Sequence, residues 1–356
     1  GSAFKPFNYL VGIDDGAMTA ATMFMDVVTD FGTKSKSFTP TQADGAERGP
    51  VRLRSALQFS LNVPSIKAGL INGLAHTLQR EKDFGLTFQS GTVPVVSQSI
   101  GTLGSHPIDL ISAYGAIANG GLLMPRTTIL EVRNAQGEKI WPLQGAEPTG
   151  KRVVSPQAAF VMTDILSSNT DPSQNPFWSK RAIYNGKTRR PAALKTGTTD
   201  STIDLTAVGF LAPPEDPAAP ALVVGAWMGN SDNSEPPKGV VALESAASLW
   251  QSFLTQASKG TPIATFSRPP GVVQASVDAF SGMRPGPFSA RSVKEWFIEG
   301  TVPNQVDTTK IGVEVDTATG NLWQEGCVGP KEVVAALNLG GVETEFPSWG
   351  KYNLDW

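Results

Sequence analysis

The 356-residue chain has 29 Lys and Arg against 32 Asp and Glu, a net charge of −3, with 40% hydrophobic and 17% charged residues. These totals fit a soluble globular protein with a large core and provide no basic field for nucleic acid or an anionic membrane. One cysteine, Cys327, and two histidines, His76 and His106, exclude a disulfide framework and a cysteine metal site and argue against histidine catalysis or zinc binding. No run of about 18 apolar residues reads as a membrane-spanning helix, and the opening residues lack the pattern of a signal peptide.

A helix beginning near Ser2 puts Ser2 and Lys5 three apart on one face, with Pro6 in the first turn, where proline is tolerated. Free N–H groups and the helix dipole there favour developing negative charge. A lysine of lowered pKa on that face can take the serine proton, so Ser2-Ala3-Phe4-Lys5 holds a nucleophile and a candidate base. Residues 14–50, rich in Thr, Ser, Gly, Asp and Pro, read as strands and loops. A helical run over 51–59 ends at Ser60-Leu61-Asn62, and Pro64 opens a second helix through Ala75. The hydroxyl of Ser60 and the amide of Asn62 fit a proton relay and a grip on a substrate amide; they equally fit helix capping.

Pro107–Asn119 reads as a buried apolar helix stopped by Gly120-Gly121, and His106 before it reads as structural. Two short strands flank the 134–137 turn. Ser155-Pro156 opens a helix to about Ser167, and a long polar loop over 168–191 follows. Ala192-Ala193-Leu194-Lys195-Thr196-Gly197-Thr198, Leu205–Leu211 and Ala221–Trp227 read as three strands of an antiparallel meander. Glycine inside the first strand suits close approach of a ligand backbone. Val241–Ala257 is an amphipathic helix that returns onto the sheet, Thr261–Pro270 is a linker, and the remainder is a small β-rich appendage whose tryptophans serve as packing anchors. No internal repeat is evident.

Ser2-Ala3-Phe4-Lys5, Ser60-Leu61-Asn62 and Lys195-Thr196-Gly197-Thr198 occur in the order of the motif set of penicillin-binding proteins and serine β-lactamases. Longer stretches sharpen this: Gly-Ser-Ala-Phe-Lys-Pro-Phe, Ser-Leu-Asn-Val-Pro-Ser, Leu-Lys-Thr-Gly-Thr-Thr, Val-Val-Gly-Ala-Trp-Met-Gly-Asn-Ser-Asp-Asn, the helix ending Tyr114–Gly121, and Trp296–Pro303. From the serine motif to about residue 305 the chain resembles the transpeptidase domain of class A, bifunctional penicillin-binding proteins. It departs at Asp204-Leu205-Thr206-Ala207, where the family has an Asp-Ala-Trp-Phe type of strand. The family's stretch before the serine, with sheet strands, a membrane anchor and a glycosyltransferase domain, is absent from this chain, which is therefore expected to be one piece of a longer polypeptide.

The resemblance implies an α+β fold: a five-stranded antiparallel sheet flanked by helices with a helical subdomain, as in penicillin-binding proteins and serine β-lactamases, plus the small β-rich C-terminal appendage. It divides the chain into a transpeptidase domain over 1–260, its N-terminal part missing, and a linker with extension over 261–356. The implied function is peptidoglycan D,D-transpeptidation through a serine acyl-enzyme, inhibited by β-lactams. Ser2 is then the nucleophile, Lys5 its base and Ser60 a proton shuttle. Asn62, Lys195, Thr196, Gly197 and Thr198 bind substrate, and the backbone N–H groups of Ser2 and Thr198 hold the oxyanion. No metal or organic cofactor is implied. The partners are stem peptides ending in D-Ala-D-Ala and β-lactam antibiotics, with no nucleic acid, and the location is the extracytoplasmic face of the bacterial membrane. The alternatives are a D,D-carboxypeptidase and a non-catalytic penicillin sensor. A β-lactamase is disfavoured by the lack of a Glu-x-x-Leu-Asn pattern.

Overall fold

The computed structural model describes residues 1–141, 149–176, 178–199, 202–216 and 219–356. Its helices are α1 (Lys5–Asp14), led in by a 3-10 turn over Ser2–Phe4, α2 (Leu53–Gln58), α3 (Asn62–Asn72), α4 (Leu74–Asp83), α5 (Pro107–Ala118), α6 (Pro156–Ser168), α7 (Ala246–Ala257) and α8 (Pro347–Asp355). The first eight strands are short: β1 (Met23–Asp26), β2 (Gly49–Arg52), β3 (Leu122–Leu123), β4 (Val132–Arg133), β5 (Lys139–Trp141), β6 (Lys151–Arg152), β7 (Ile183–Asn185) and β8 (Thr188–Arg190). The longer ones follow: β9 (Ala192–Thr198), β10 (Leu205–Leu211), β11 (Val223–Met228), β12 (Val272–Asp278), β13 (Ser292–Ile298), β14 (Lys310–Asp316) and β15 (Lys331–Leu337). They form two compact units, Gly1–Ala17 with Ala68–Pro270, and Met18–Lys67 with Gly271–Trp356. Among the described residues no helix is long and apolar enough to cross a membrane.

In the first unit the meander forms as the alternation predicts, an antiparallel sheet in the order β11-β10-β9 with Lys195 opposite Val208 and Thr198 opposite Leu205. Side chains of period two sort onto two faces. Ala192, Leu194, Leu205, Ala207 and Ala226 pack with Ala246, Ala247, Trp250 and Leu254 of α7. On the opposite face Gly225 makes room for Ile111 of α5: a Cβ there would lie 2.4 Å from the Ile111 side chain. Among the described residues this sheet has three strands, not five, because the run 192–228 is the only part of the chain that pairs there. Two boundaries also differ from expectation: α7 begins at Ala246, since the segment from Val241 is taken up by turns, and the 168–191 loop contains the β7–β8 hairpin around Gly186. α6 starts as its sequence dictates, with Ser155 Oγ accepting the Ala158 N–H at 3.2 Å and Pro156 in the first turn.

The second unit pairs β1 with β2 and carries α2, two long hairpins and α8. The hairpins are a repeat. β12 ends at Asp278 and β14 at Asp316, each carboxylate accepting the N–H two residues on, from Phe280 at 2.9 Å and Ala318 at 2.8 Å. Gly282 and Gly320 close the same turn with φ near +71° and +72°, donating to Asp278 and Asp316 carbonyls. Ser289 Oγ accepts from Gly286 N–H in the first hairpin, and Cys327 Sγ from Gln324 N–H in the second. The lone cysteine thus occupies a turn position. The expectation of no repeat is corrected here: Asp, Gly and turn residues recur while the strand side chains do not.

The first hairpin grips the α2 segment. Glu295 of β13 is buried and accepts from Arg52 Nη1 at 3.0 Å and Arg54 Nε at 2.8 Å. Burial pushes its carboxyl up, but the two guanidiniums outweigh that and hold it below the usual carboxylate range. Removing one partner of such a buried set typically costs more than the set contributes when intact. The same unit holds Lys67, whose buried ammonium donates to the Met25 carbonyl at 2.9 Å and to the Glu343 carboxylate at 2.5 Å beside Trp349.

Candidate active site

Ser2 sits in the 3-10 turn that runs into α1, with the Lys5 N–H closing on the Ser2 carbonyl, so Ser2 and Lys5 are one turn apart as their spacing predicts. Ser2 is half-buried and Lys5 fully buried. The turn is packed from below by rings: Phe7 meets Phe84 and Tyr114 edge-on at 5.3 and 5.4 Å. The buried Tyr114 hydroxyl donates to the Ala3 carbonyl at 2.8 Å. Tyr114 therefore fixes the residue after the serine, a role with no signal in the local sequence.

Strand β9 lies directly against this turn. A Cβ on Gly197 would sit 3.0 Å from the Ala3 nitrogen and 2.5 Å from Thr206 Oγ1. On the other side of Ser2, a Cβ on Gly1 would come within 2.5 Å of the Thr198 carbonyl oxygen. The glycine of Lys-Thr-Gly is thus required by close approach of the serine turn rather than by backbone conformation.

The polarity of the β9 edge follows from its partners. Thr170 Oγ1 and Asn169 Nδ2, at the end of α6, donate to the carbonyls of Ala192 and Leu194 at 2.7 and 2.8 Å. Those carbonyls point away from β10, so period-two alternation turns the N–H and C=O of Thr196 and Thr198 the same way, toward the serine turn. Asn169 and Thr170 carry no sequence signal beyond ending a helix. The side chain of Lys195 shares its face with Gly197, the face toward Ala3. It is fully buried, its ammonium donating to the Thr196 carbonyl at 2.9 Å and lying 5.4 Å over the Trp178 ring. Burial lowers its pKa from 10.5 to about 7. At the far end of the strand, Asp204 accepts from Trp227 Nε1 at 2.8 Å and donates its N–H to Thr199 Oγ1 at 2.9 Å. Asp204, which the chain shares with the family pattern, thus ties Thr199 at the end of β9 to β11.

The structure thus brings Ser2, Lys5 and Lys195–Thr198 together within one unit. Ser60 and Asn62 belong to the other unit. There α2 ends with Ser60 N–H on Leu57 O and Leu61 N–H on Ala56 O, and Ser60 has φ +58°. This is a Schellman ending with the left-handed position filled by serine. α4 and α5 end in the same pattern with glycine there, Gly85 at φ +84° and Gly120 at φ +59°. A non-glycine residue in that conformation costs about 1–2 kcal/mol. Asn62 opens α3, two residues before the expected start at Pro64, and its side-chain Nδ2 donates to the Thr41 carbonyl at 2.7 Å. Ser60 therefore ends α2 in a strained position where glycine would fit better, and Asn62 is the first residue of α3 rather than the cap before it.

The pattern described as "Penicillin binding protein transpeptidase domain" matches residues 1–206, and "Penicillin-binding protein 1A, C-terminal domain" matches residues 268–312. The chain is 30% identical over 310 residues to Penicillin-binding protein 2D of Bacillus subtilis, covering 86% of this chain and 42% of that one. It is also 30% identical over 342 residues to Penicillin-binding protein 1A of Clostridium botulinum, covering 90% and 38%. The chain therefore spans about two fifths of the length of these curated relatives. A crystal structure of Penicillin-Binding Protein 1A from Haemophilus influenzae superposes with a TM-score of 0.72 at 23% identity, covering 86% of this chain and 48% of that one.

Proposed function

The chain belongs to the family of penicillin-binding protein transpeptidase domains, and from that premise we propose that it is the crosslinking domain of a bifunctional cell-wall synthase, a serine D,D-transpeptidase. The observation that carries this is the lodging of the Ser2 turn against β9, with glycine at 197 allowing contact and the Thr198 backbone turned toward the serine. The reading assigns 1–260 to catalysis and 261–356 to the extension by role, whereas packing groups Met18–Lys67 with the latter. It also expects two further strands on the outer edge of β11, which would complete a five-stranded sheet and cover an edge that otherwise invites pairing.

In the proposed reaction Ser2 Oγ attacks the carbonyl of the penultimate D-Ala of a stem peptide while Lys5 takes its proton. The N–H groups of Ser2 and Thr198 hold the oxyanion, each donor contributing about 3 kcal/mol to transition-state stabilisation. Lys195, Thr196 and Thr198 bind the terminal carboxylate, and the Asn62 amide holds the peptide. Ser60 passes a proton to the departing D-Ala amine. The amine of a neighbouring stem then attacks the acyl-enzyme, releasing Ser2 and forming the crosslink. A β-lactam enters by the same first step and stays attached because its leaving group remains tethered. No step calls on a metal or organic cofactor. The site works on the extracytoplasmic face of the bacterial membrane, where the substrate is found.

The direct test is intact-mass measurement after incubation with penicillin, followed by peptide mapping. A persistent adduct of one penicillin on Ser2 is expected. Absence of any adduct, or an adduct elsewhere, would overturn the assignment.

Serine at a left-handed position sets a second expectation. Ser60→Gly relieves strain and should raise stability by about 1 kcal/mol in urea unfolding, while loss of the hydroxyl slows acylation about 100-fold. Were Ser60 only a cap, the same variant would gain stability and acylate at the original rate.

A further inference from the structure

We propose that Gln42 is a positioning residue for Asn62, acting as a crossbar between Asn62 and Asp26; the inference rests on the transpeptidase reading above. The residue preceding α3 is Leu61, which has no side-chain acceptor for the orphan N–H groups of the first turn. Gln42, buried in the loop between β1 and β2, supplies one: its Oε1 accepts the Asn62 N–H at 2.7 Å. Its neighbour Thr41 offers the carbonyl that accepts Asn62 Nδ2 at 2.7 Å. Main chain and side chain of Asn62 are thus both fixed by two consecutive residues. The second bond sets the sense of the amide, with Nδ2 toward Thr41 and Oδ1, the acceptor that the transpeptidase reading requires, directed away from it.

A glutamine can serve this way only if its own amide is oriented, because a flip would set two donors face to face. Asp26, at the end of β1, provides the orientation: Gln42 Nε2 donates to its Oδ1. Asp26 is itself buried, 3.8 Å from Arg48 and in the field of Lys67, which is paired with Glu343, while Arg48 is paired with Asp44. Burial outweighs Gln42, Arg48 and Lys67 and raises the Asp26 carboxyl to about 6. The crossbar therefore ends on a carboxyl whose charge is readily altered by a neighbour.

Two variants test this in the 356-residue chain, with the second-order rate of penicillin acylation at Ser2 as readout. Gln42→Leu keeps the volume and removes both bonds; it should slow acylation about tenfold, with the thermal transition still cooperative. Gln42→Glu sets a carboxyl against Asp26, and the two must share a proton to keep the contact. Its rate relative to the parent chain should be within about threefold near pH 6 and fall about tenfold or more by about pH 8. Taking the ratio cancels any limb common to both proteins. A ratio flat with pH, or Gln42→Leu acylating at the parent rate, overturns the crossbar while the parent's own adduct leaves the transpeptidase reading intact. Failure of the parent chain to acylate at Ser2 removes both.

Discussion

Replacing Ser2 by alanine is expected to abolish the penicillin adduct and lower the acylation rate by about five to six orders of magnitude, since removal of a nucleophile disables the unit it forms with its base. The variant should fold normally. Ser2 is half-buried in a turn whose defining bonds, Phe4 N–H to Gly1 O and the Lys5 N–H to Ser2 O, involve only backbone, and the Tyr114 bond falls on Ala3. The proposed carboxylate partners on β9 are untouched, so reversible penicillin binding should persist within a few fold of the parent affinity. Intact mass reads the first property and equilibrium competition with a fluorescent penicillin the second. An adduct that survives in Ser2→Ala assigns the nucleophile elsewhere. Loss of reversible binding together with the adduct would mean that Ser2 shapes the pocket rather than reacting in it.

The residues proposed to carry the chemistry are legible because each proposed duty demands a residue type at a short fixed spacing. Ser2 and Lys5 need one helical turn, and Lys195, Gly197 and Thr198 need one strand, so local periodicity alone set them in place. Glycine at 197 suits close approach of a ligand backbone in the sequence; in the structure what approaches it is the chain's own serine turn at Ala3. What stayed hidden depends on separation in sequence. The grouping of Met18–Lys67 with the last 86 residues turns on pairs such as Arg54 with Glu295 and Lys67 with Glu343, distant in the chain and chemically ordinary. The tandem hairpins leave no sequence repeat because only their turn residues recur. The sequence around Ser60 fits cap and catalyst equally. The structure adds that Ser60 occupies the helix-ending position that Gly85 and Gly120 hold in α4 and α5.

The organisation of the second unit gives the C-terminal hairpins a mechanical sense. Glu295 holds Arg52 and Arg54 at the start of α2, and α2 ends at Ser60. Lys67, five residues beyond Asn62 on α3, is held by Glu343 from the segment before α8. Both flanks of the Ser60–Asn62 connection are thus fastened by the residues that follow Gly271. A strained serine needs such over-determination, because an unsupported connection would relax out of the left-handed conformation.

Lys195 sets the second large effect. Its ammonium is the charge proposed to bind the substrate carboxylate, and burial lowers its pKa from 10.5 to about 7. The charged form is the binding form and is lost as pH rises through that value. The second-order acylation constant, which reports the free protein, should therefore fall about tenfold per pH unit above about 7. Any rising limb at lower pH belongs to another group. Lys195→Ala removes the charge and should cost about 1000-fold below pH 7, with the deficit shrinking as the parent's lysine itself becomes neutral. Lys195→Arg keeps a charge that does not titrate in the accessible range. Its absolute rate drops because a planar fork replaces a compact ammonium, but the falling limb disappears. Folding shows the converse sign: between about 7 and 10.5 the unfolded chain binds the proton that the native lysine lacks, so this residue's contribution to stability grows with pH across that window. A parent profile flat from about pH 6 to 9, or a falling limb retained in Lys195→Arg, would assign the carboxylate to the threonines and leave Lys195 as a buried structural amine.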